Sequence, residues 1–190
     1  IEYKPKEEID LLFENPINKF LEEVTENQED IVLLKETIGY CFYRKMPFQN
    51  VFLLVGSGAN GKSVLLQIIT AMLGTENVST ESLQELTSNR FSKVNLYLKN
   101  ANIFGDLPSK ALQDVGVLKQ ATSGQDQLAA EQKFKHRFYF VSYAKIIASC
   151  NEIPETPDYT DGFFRRFIII NFPNCFEGKE NRSLANELCT

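Results

Sequence analysis

Apolar residues follow two different rhythms along the chain, and the change comes near residue 50. In the first part Ile17, Phe20, Leu21 and Val24 recur at helical spacing. Asn15-Pro16 before them reads as an N-cap followed by proline at the first helical position. A second run, Ile31, Leu33, Leu34 and Ile38, follows Asn27 and Asp30, a weaker start signal. From residue 51 the rhythm becomes short apolar runs separated by polar or helical stretches. Val51–Val55 (VFLLV) is apolar throughout, as a central parallel strand covered on both faces must be. A helix is expected over Ser63–Leu73, ending at Gly74. Further strands are expected at Glu76–Ser79, Asn102–Gly105, Lys145–Ser149 and Phe167–Phe172. Strands alternating with helices predict an α/β protein with a central parallel five-stranded sheet. The expected organisation is a helical subdomain over 1–50, an α/β core over 51–180 and the start of a further segment over 181–190.

Composition narrows this picture only slightly. The chain has 190 residues, enough for one domain of ordinary size with a small appendage. It begins at Ile1 rather than Met, so it reads as an excerpt of something longer. No apolar run approaches a membrane span of ~18 residues, and no secretory signal pattern opens the chain. The four cysteines, Cys41, Cys150, Cys175 and Cys189, form no CxxC pair and have no metal-type spacing with the sole histidine, His136. They read as reduced, mostly buried thiols of an intracellular protein. Net charge is −5, and residues 1–50 carry all of it, with 11 acids against 6 bases; residues 51–190 hold 14 of each. A bulk electrostatic grip on nucleic acid is therefore not expected, and any such contact has to be local.

The chemistry begins at Gly56-Ser57-Gly58-Ala59-Asn60-Gly61-Lys62-Ser63, which satisfies G-x-x-x-x-G-K-[ST] between a buried strand and a helix. Glycines at these positions let successive N–H groups face phosphates, and the following helix presents its positive end. Lys62 would neutralise β- and γ-oxygens, and the Ser63 hydroxyl would join a Mg²⁺ shell. The expected ATP-binding residues are Gly58, Ala59, Asn60, Gly61, Lys62, Ser63 and Val64.

Such a loop needs a metal-holding acid at the end of another strand. Asp106, after Ile103-Phe104, supplies one; it also suits a cap for a helix starting near Pro108-Ser109. Its neighbours Gly105 and Leu107 leave no second acid to polarise water, so Asp106 serves both needs or a base comes from elsewhere, with Glu131 as one guess. Asn151 follows an apolar strand directly, where its amide would reach a γ-phosphate and an attacking water; asparagine is equally a common turn former. Arg165 and Arg166 precede the last strand. They are either a solvated pair or arginines that stabilise phosphoryl-transfer charge on a neighbouring subunit. The single Asn-Lys pair, Asn18-Lys19, lies upstream and is followed by Phe-Leu, so an N-K-x-D guanine reader is missing.

Between the third and fourth strands lies an insertion. In it Phe134, His136, Phe138 and Phe140 alternate with Lys133, Lys135, Arg137 and Tyr139. Period-2 alternation predicts a strand or hairpin with one face packing inward and three cations pointing together at something negative, or a half-buried strand with a solvated charged face.

Taken in order, GSGANGKS, NIFGDLP, KQATSGQDQLAAEQKFK and SCNEIPETPDYTDGFFRRFIIINFP resemble the superfamily III helicases, and more closely the helicase domains of phage and plasmid primases, including those of archaeal elements. The resemblance covers roughly Val51 to Pro173. It implies an AAA+ P-loop fold, a hexameric ring, ATP hydrolysis between subunits and movement along single-stranded DNA, next to a primase-polymerase domain. By this likeness Lys62 and Ser63 serve nucleotide and metal, Asp106 is the Walker B acid and Asn151 the sensor. Arg166 is the first choice for the arginine finger and Arg165 the second. The insertion becomes a hairpin in the ring's channel, where Lys133, Lys135, His136 and Arg137 grip DNA phosphates. The absent second acid is a departure from the pattern.

The expected function is thus an ATP-dependent DNA helicase or translocase domain of a mobile-element replication protein, working as a homo-hexamer in the host cytoplasm with ATP and Mg²⁺. Two alternatives stay open. One is a packaging or loader ATPase; the other is a weakly or non-hydrolysing ring clamp that assembles an attached primase on DNA.

Overall fold

A computed structural model describes residues 16–107, 116–155, 160–179, 181 and 183–189. Both expected N-terminal helices form. Helix α1 (Pro16–Val24) buries Phe20, Leu21 and Val24, and α2 (Gln28–Cys41) buries Ile31, Leu34 and Ile38. Asn27 caps α2 as its sequence suggests: its side-chain oxygen accepts the Asp30 N–H at 2.9 Å. Asn15 lies outside the described residues.

The main sheet has five parallel strands in the order β2–β3–β6–β1–β7. These are β1 (Val51–Val55), β2 (Val78–Ser79), β3 (Ala101–Phe104), β6 (Lys145–Cys150) and β7 (Phe167–Asn171). The expected second strand is shorter than its sequence suggests, because Thr75–Asn77 closes a 3₁₀ turn first. Helix α3 (Lys62–Leu73) follows β1. The opposite face carries α4 (Leu83–Ser88), α5 (Gly116–Ser123) and α6 (Asp161–Phe164), and α7 (Leu184–Leu188) lies near the end of the chain.

Continuous apolarity in β1 has a direct structural cause. Phe52 and Leu54 point into a core shared with α1, α2 and α3, while Val51 and Leu53 point into a second core with Leu83, Leu118 and Phe163. Period-2 side-chain alternation sends neighbouring residues to opposite faces, and each face here is covered by a helical layer.

One charged residue departs from this rule. Lys145, the first residue of β6, is fully buried. Its ammonium donates to the carbonyls of Tyr43, Lys45 (3.1 Å) and Tyr143 (2.9 Å), and it sits 4.6 Å from the Tyr40 ring centroid. Burial pushes its pKa down to about 8, with neighbouring Cys41 opposing, and burial pushes the Cys41 thiol up to about 12. Lys145 thereby pins the turn after α2 to the start of the central strands.

The insertion is an antiparallel hairpin, β4 (Gln127–Ala130) against β5 (Phe138–Val141). Here the period-2 expectation is corrected. The strand starts at Phe138, and Lys133 to Arg137 form the connecting tip, because Phe134 takes a left-handed φ of 65° that a strand does not tolerate. Phe134 is fully exposed rather than packed inward. The inward aromatic face is confined to Phe138 and Phe140, whose rings meet Tyr97 at 5.1 and 5.3 Å. All four cysteines are free; Cys41 and Cys150 are buried, whereas Cys175 and Cys189 are exposed, against the expectation of mostly buried thiols.

Candidate active site

Parallel strands align their C-terminal ends along one edge, so the loops after β1, β3 and β6 meet there. Residues 56–61 after β1 form the loop the motif predicts. Gly56 admits no side chain: a Cβ would collide with the Asn60 amide and lie 2.5 Å from the Phe172 carbonyl oxygen. Gly61, at φ 87°, is the N-cap of α3. A Cβ there would stand 2.7 Å from Val24 Cγ1 and 3.2 Å from Phe20 Cε2, so the loop sits directly against α1. Asn60 is buried and donates to the Phe172 carbonyl at 3.3 Å, tying the loop to the residue after β7.

Lys62 is folded onto this loop. Its ammonium donates to Gly56 O at 2.6 Å and Asn60 Oδ1 at 2.9 Å. Burial holds its pKa below the ordinary lysine range, while Cys150 and Asp106 pull in the other direction. Asp106 follows β3 with a left-handed φ of 51°, a conformation aspartate tolerates better than most residues. The turn is held from β6: Ser149 Oγ accepts the Asp106 N–H at 3.3 Å, and Ser149 O accepts the Leu107 N–H at 2.8 Å. Strain of this kind concentrates where a side chain must be aimed.

These residues converge on one cavity of about 440 Å³. Its loop wall consists of Gly58, Ala59, Asn60, Gly61, Lys62, Ser63 and Val64, and the β3 and β6 ends contribute Asp106, Ser149 and Asn151. The cavity also has walls that motif reading did not anticipate: Phe20, Glu23 and Val24 from α1, and Phe176, Lys179, Asn181 and Leu184 after β7. Their apolar members look like ordinary core positions in the sequence, so no local signal separates them. Chemically the cavity combines loop N–H groups, a lysine, a hydroxyl, a carboxylate and an amide. That donor set fits a triphosphate with a divalent cation, which Ser63 and Asp106 could hold. Among the described residues no cluster of three or more His, Cys, Asp or Glu forms a separate metal site.

Other candidates lie elsewhere. Glu131 is in the hairpin, 3.8 Å from Arg90 Nε and 3.7 Å from Arg137 Nη2, and is absent from the cavity walls. It therefore does not line its own chain's phosphate cavity. Lys133, Lys135, His136 and Arg137 are all exposed at the hairpin tip.

Arg165 and Arg166 end α6 and precede β7, at the opposite edge of the sheet. The Arg166 carbonyl accepts the Val51 N–H at 2.7 Å, whereas the phosphate loop begins after Val55. Five strand residues separate the two edges by roughly 16 Å, so neither arginine reaches its own chain's Lys62. Arg166 donates to Gly162 O and, at 3.5 Å, to Gln49 Oε1. Arg165 is the more exposed of the two. A second cavity of about 400 Å³ adjoins this edge, lined by Gln49 together with Arg44, Lys45 and Tyr143.

Residues 54–166 match the model of a family of unknown function, DUF5906. The chain belongs to that family. A protein of Acanthamoeba polyphaga mimivirus named "Putative helicase L207/L206" is 29% identical over 178 residues, covering 90% of this chain and 18% of its own length. In fold, the DUF5906 domain is similar to the NrS-1 C-terminal region, with a TM-score of 0.74, 16% identity, and coverage of 100% of this chain and 43% of that one. It is also similar to JCV helicase, with a TM-score of 0.54, 17% identity, and coverage of 88% and 49%. The chain thus spans less than a fifth of the viral relative and under half of each solved chain. The fold is the P-loop NTPase arrangement shared with these neighbours, and the resemblance to superfamily III helicase domains read from the motifs agrees with a viral relative named a putative helicase. No helix among the described residues is long and apolar enough to cross a membrane.

Proposed function

We propose that this DUF5906 domain is an ATP-driven DNA translocase or helicase module, hydrolysing ATP with Mg²⁺ between the subunits of a homo-oligomeric ring. A helicase domain is the coarser reading that the relative and the fold neighbours support. One observation carries the finer one. Lys62, Ser63, Asp106 and Asn151 converge on a single cavity, while Arg165 and Arg166 stand across the sheet, out of reach of their own chain's phosphate loop and available to another copy's triphosphate.

In this reading Lys62 exchanges the neutral oxygens of Gly56 and Asn60 for phosphate oxygens, and Asp106 with Ser63 holds the cation. Asn151 orients the attacking water. Arg165, the exposed arginine, reaches the neighbouring phosphate, and Arg166 orders the edge through Gly162 and Gln49. This reverses the order expected from the motif. The hairpin tip presents Lys133, Lys135, His136 and Arg137 to the DNA backbone. Such contacts are sequence-blind and salt-sensitive, as a motor passing over any sequence requires. A ring concentrates these tips in one channel, so a protomer of net charge −5 still grips DNA locally. A covalently attached or associated primase-polymerase, a mobile-element origin and action in the host cytoplasm complete the reading.

The clamp alternative draws on one feature: Asp106 and Glu23 are the carboxylates among the described cavity residues, and Glu23 belongs to α1 rather than to a strand end. ATP turnover measured with and without single-stranded DNA separates the two. A motor shows DNA-stimulated turnover that is abolished by Lys62→Ala. Nucleotide binding without turnover at any DNA concentration leaves the clamp.

A further inference from the structure

Phosphate contacts at the hairpin tip make no use of Phe134. Neither does the interior: Phe138 and Phe140 already form the inward aromatic face against Tyr97, and Phe134 lies wholly in solvent. Single exposed apolar side chains are common on protein surfaces, but two features set this one apart. Its backbone is left-handed, at φ 65°, where glycine or asparagine is ordinary and a bulky ring is rare. The turn does not ask for a ring either, since it is closed by the Lys135 N–H donating to the Gln132 carbonyl at 3.1 Å. The second feature is charge. Lys133 and Lys135 flank the ring on either side, and His136 and Arg137 follow. At the foot of the tip Glu131 stands between two guanidinium groups, 3.8 Å from Arg90 and 3.7 Å from Arg137. The apex itself is an aromatic ring between two lysines.

We propose that Phe134 stacks on an unpaired base of single-stranded DNA while Lys133 and Lys135 hold the adjoining phosphates. The inference rests on the DNA reading above and deepens it, because that reading gives the tip backbone contacts alone. An occupant of this apex has to present a flat apolar face beside negative charge. A single strand does so at every nucleotide, whereas a duplex hides its base faces in its own stack. An anionic lipid surface also combines charge with apolar material, but a lone ring buries far less area than the helix faces that hold proteins to such surfaces. Every base has a π face, so the contact adds affinity without reading sequence. The tip thereby selects single strands over duplex by a route that its lysines cannot supply.

Fluorescence anisotropy reads the contact with two labelled strands of equal length, oligothymidine and an abasic deoxyribose-phosphate strand, each with Mg²⁺ and a non-hydrolysable ATP analogue. The unaltered chain is expected to bind oligothymidine about ten-fold more tightly or better. Phe134 is wholly solvated, so replacing it opens no cavity. Phe134→Ala and Phe134→Gly, the second suited to the left-handed backbone, each weaken oligothymidine roughly ten- to hundred-fold and leave the abasic strand within about twofold. The slope of log affinity against log salt stays unchanged, because no phosphate contact is lost. Phe134→Trp keeps the affinity, whereas Phe134→Leu, apolar without a ring, does not. Lys133→Ala with Lys135→Ala weakens both strands. Unchanged oligothymidine affinity in Phe134→Ala, or equal weakening of both strands, overturns the stacking contact while the phosphate grip stands. Phe134-dependent binding to phosphatidylserine vesicles with no preference for oligothymidine over the abasic strand overturns it in favour of a lipid surface. Failure of the unaltered chain to bind either strand overturns the DNA reading and the stacking contact together.

Discussion

Replacing Lys145 by methionine tests the packing logic of the sheet edge that carries the arginines. The substitution keeps chain length and apolar stem but removes the ammonium from the carbonyls of Tyr43, Lys45 and Tyr143. Replacing a whole buried ion pair with apolar groups is often neutral, but here one partner goes and three acceptors stay. Tyr43 and Lys45 are exposed residues whose carbonyls water can reach, so each costs about 0.5–1 kcal/mol; the half-buried Tyr143 carbonyl costs about 1–2 kcal/mol. The lost ammonium–Tyr40 contact adds about 1 kcal/mol. The expected loss is about 3–5 kcal/mol at pH 7, a large share of ordinary domain stability of about 5–15 kcal/mol. Urea unfolding followed by circular dichroism reads it.

The lysine also sets a pH signature. Its folded pKa of about 8 lies below the ordinary 10.5, so between these values the unfolded chain binds more protons. Stability relative to Lys145→Met therefore rises as pH increases from about 8 to about 10.5, and the difference is smallest below pH 8. A loss under about 1 kcal/mol at pH 7 would refute the argument that these carbonyls depend on Lys145, and a gap that narrows with rising pH would refute the dominance of burial over its hydrogen bonds in setting the pKa.

Three further outcomes are expected. Arg165→Ala and Lys62→Ala proteins are each inactive alone, but mixing them restores part of the ATP turnover, because some interfaces then combine an intact loop with an intact arginine; no restoration at any ratio argues against a shared pocket. Lys133→Ala with Lys135→Ala lowers the slope of log affinity for single-stranded DNA against log salt by about 0.7 per lost phosphate contact, and an unchanged slope places DNA elsewhere. Gly61→Ala destabilises by about 2 kcal/mol or more through positive φ and the Val24 collision, and Val24→Ala in the same chain relieves about 1 kcal/mol of it in a double-mutant cycle; strict additivity would contradict the contact between α1 and the loop.

What the sequence determined by itself was local. The phosphate loop, the Asn27 cap and the apolar strands follow from backbone requirements of neighbouring residues: glycine where a Cβ collides, a short polar side chain where an N–H is orphaned, and apolar groups on both faces of a covered strand. Asp106 and Asn151 were legible because parallel strands place their C-terminal residues on one edge. Tertiary structure alone decided the rest. Alternation through Lys133–Arg137 suggested a strand, yet a left-handed Phe134 turns the chain there, and pattern cannot distinguish a tip from a strand when every residue of it is solvated. Phe20, Val24 and Phe176 carry ordinary core signals; they become cavity walls because α1 and the segment after β7 meet over a loop distant from both in sequence. The two arginines are adjacent in the chain, but their surroundings differ, one turned onto nearby Gly162 and onto Gln49, 117 residues away, and the other exposed, and pattern gives no sign of the distant contact. Periodicity records which side of an element is buried. It does not record against what.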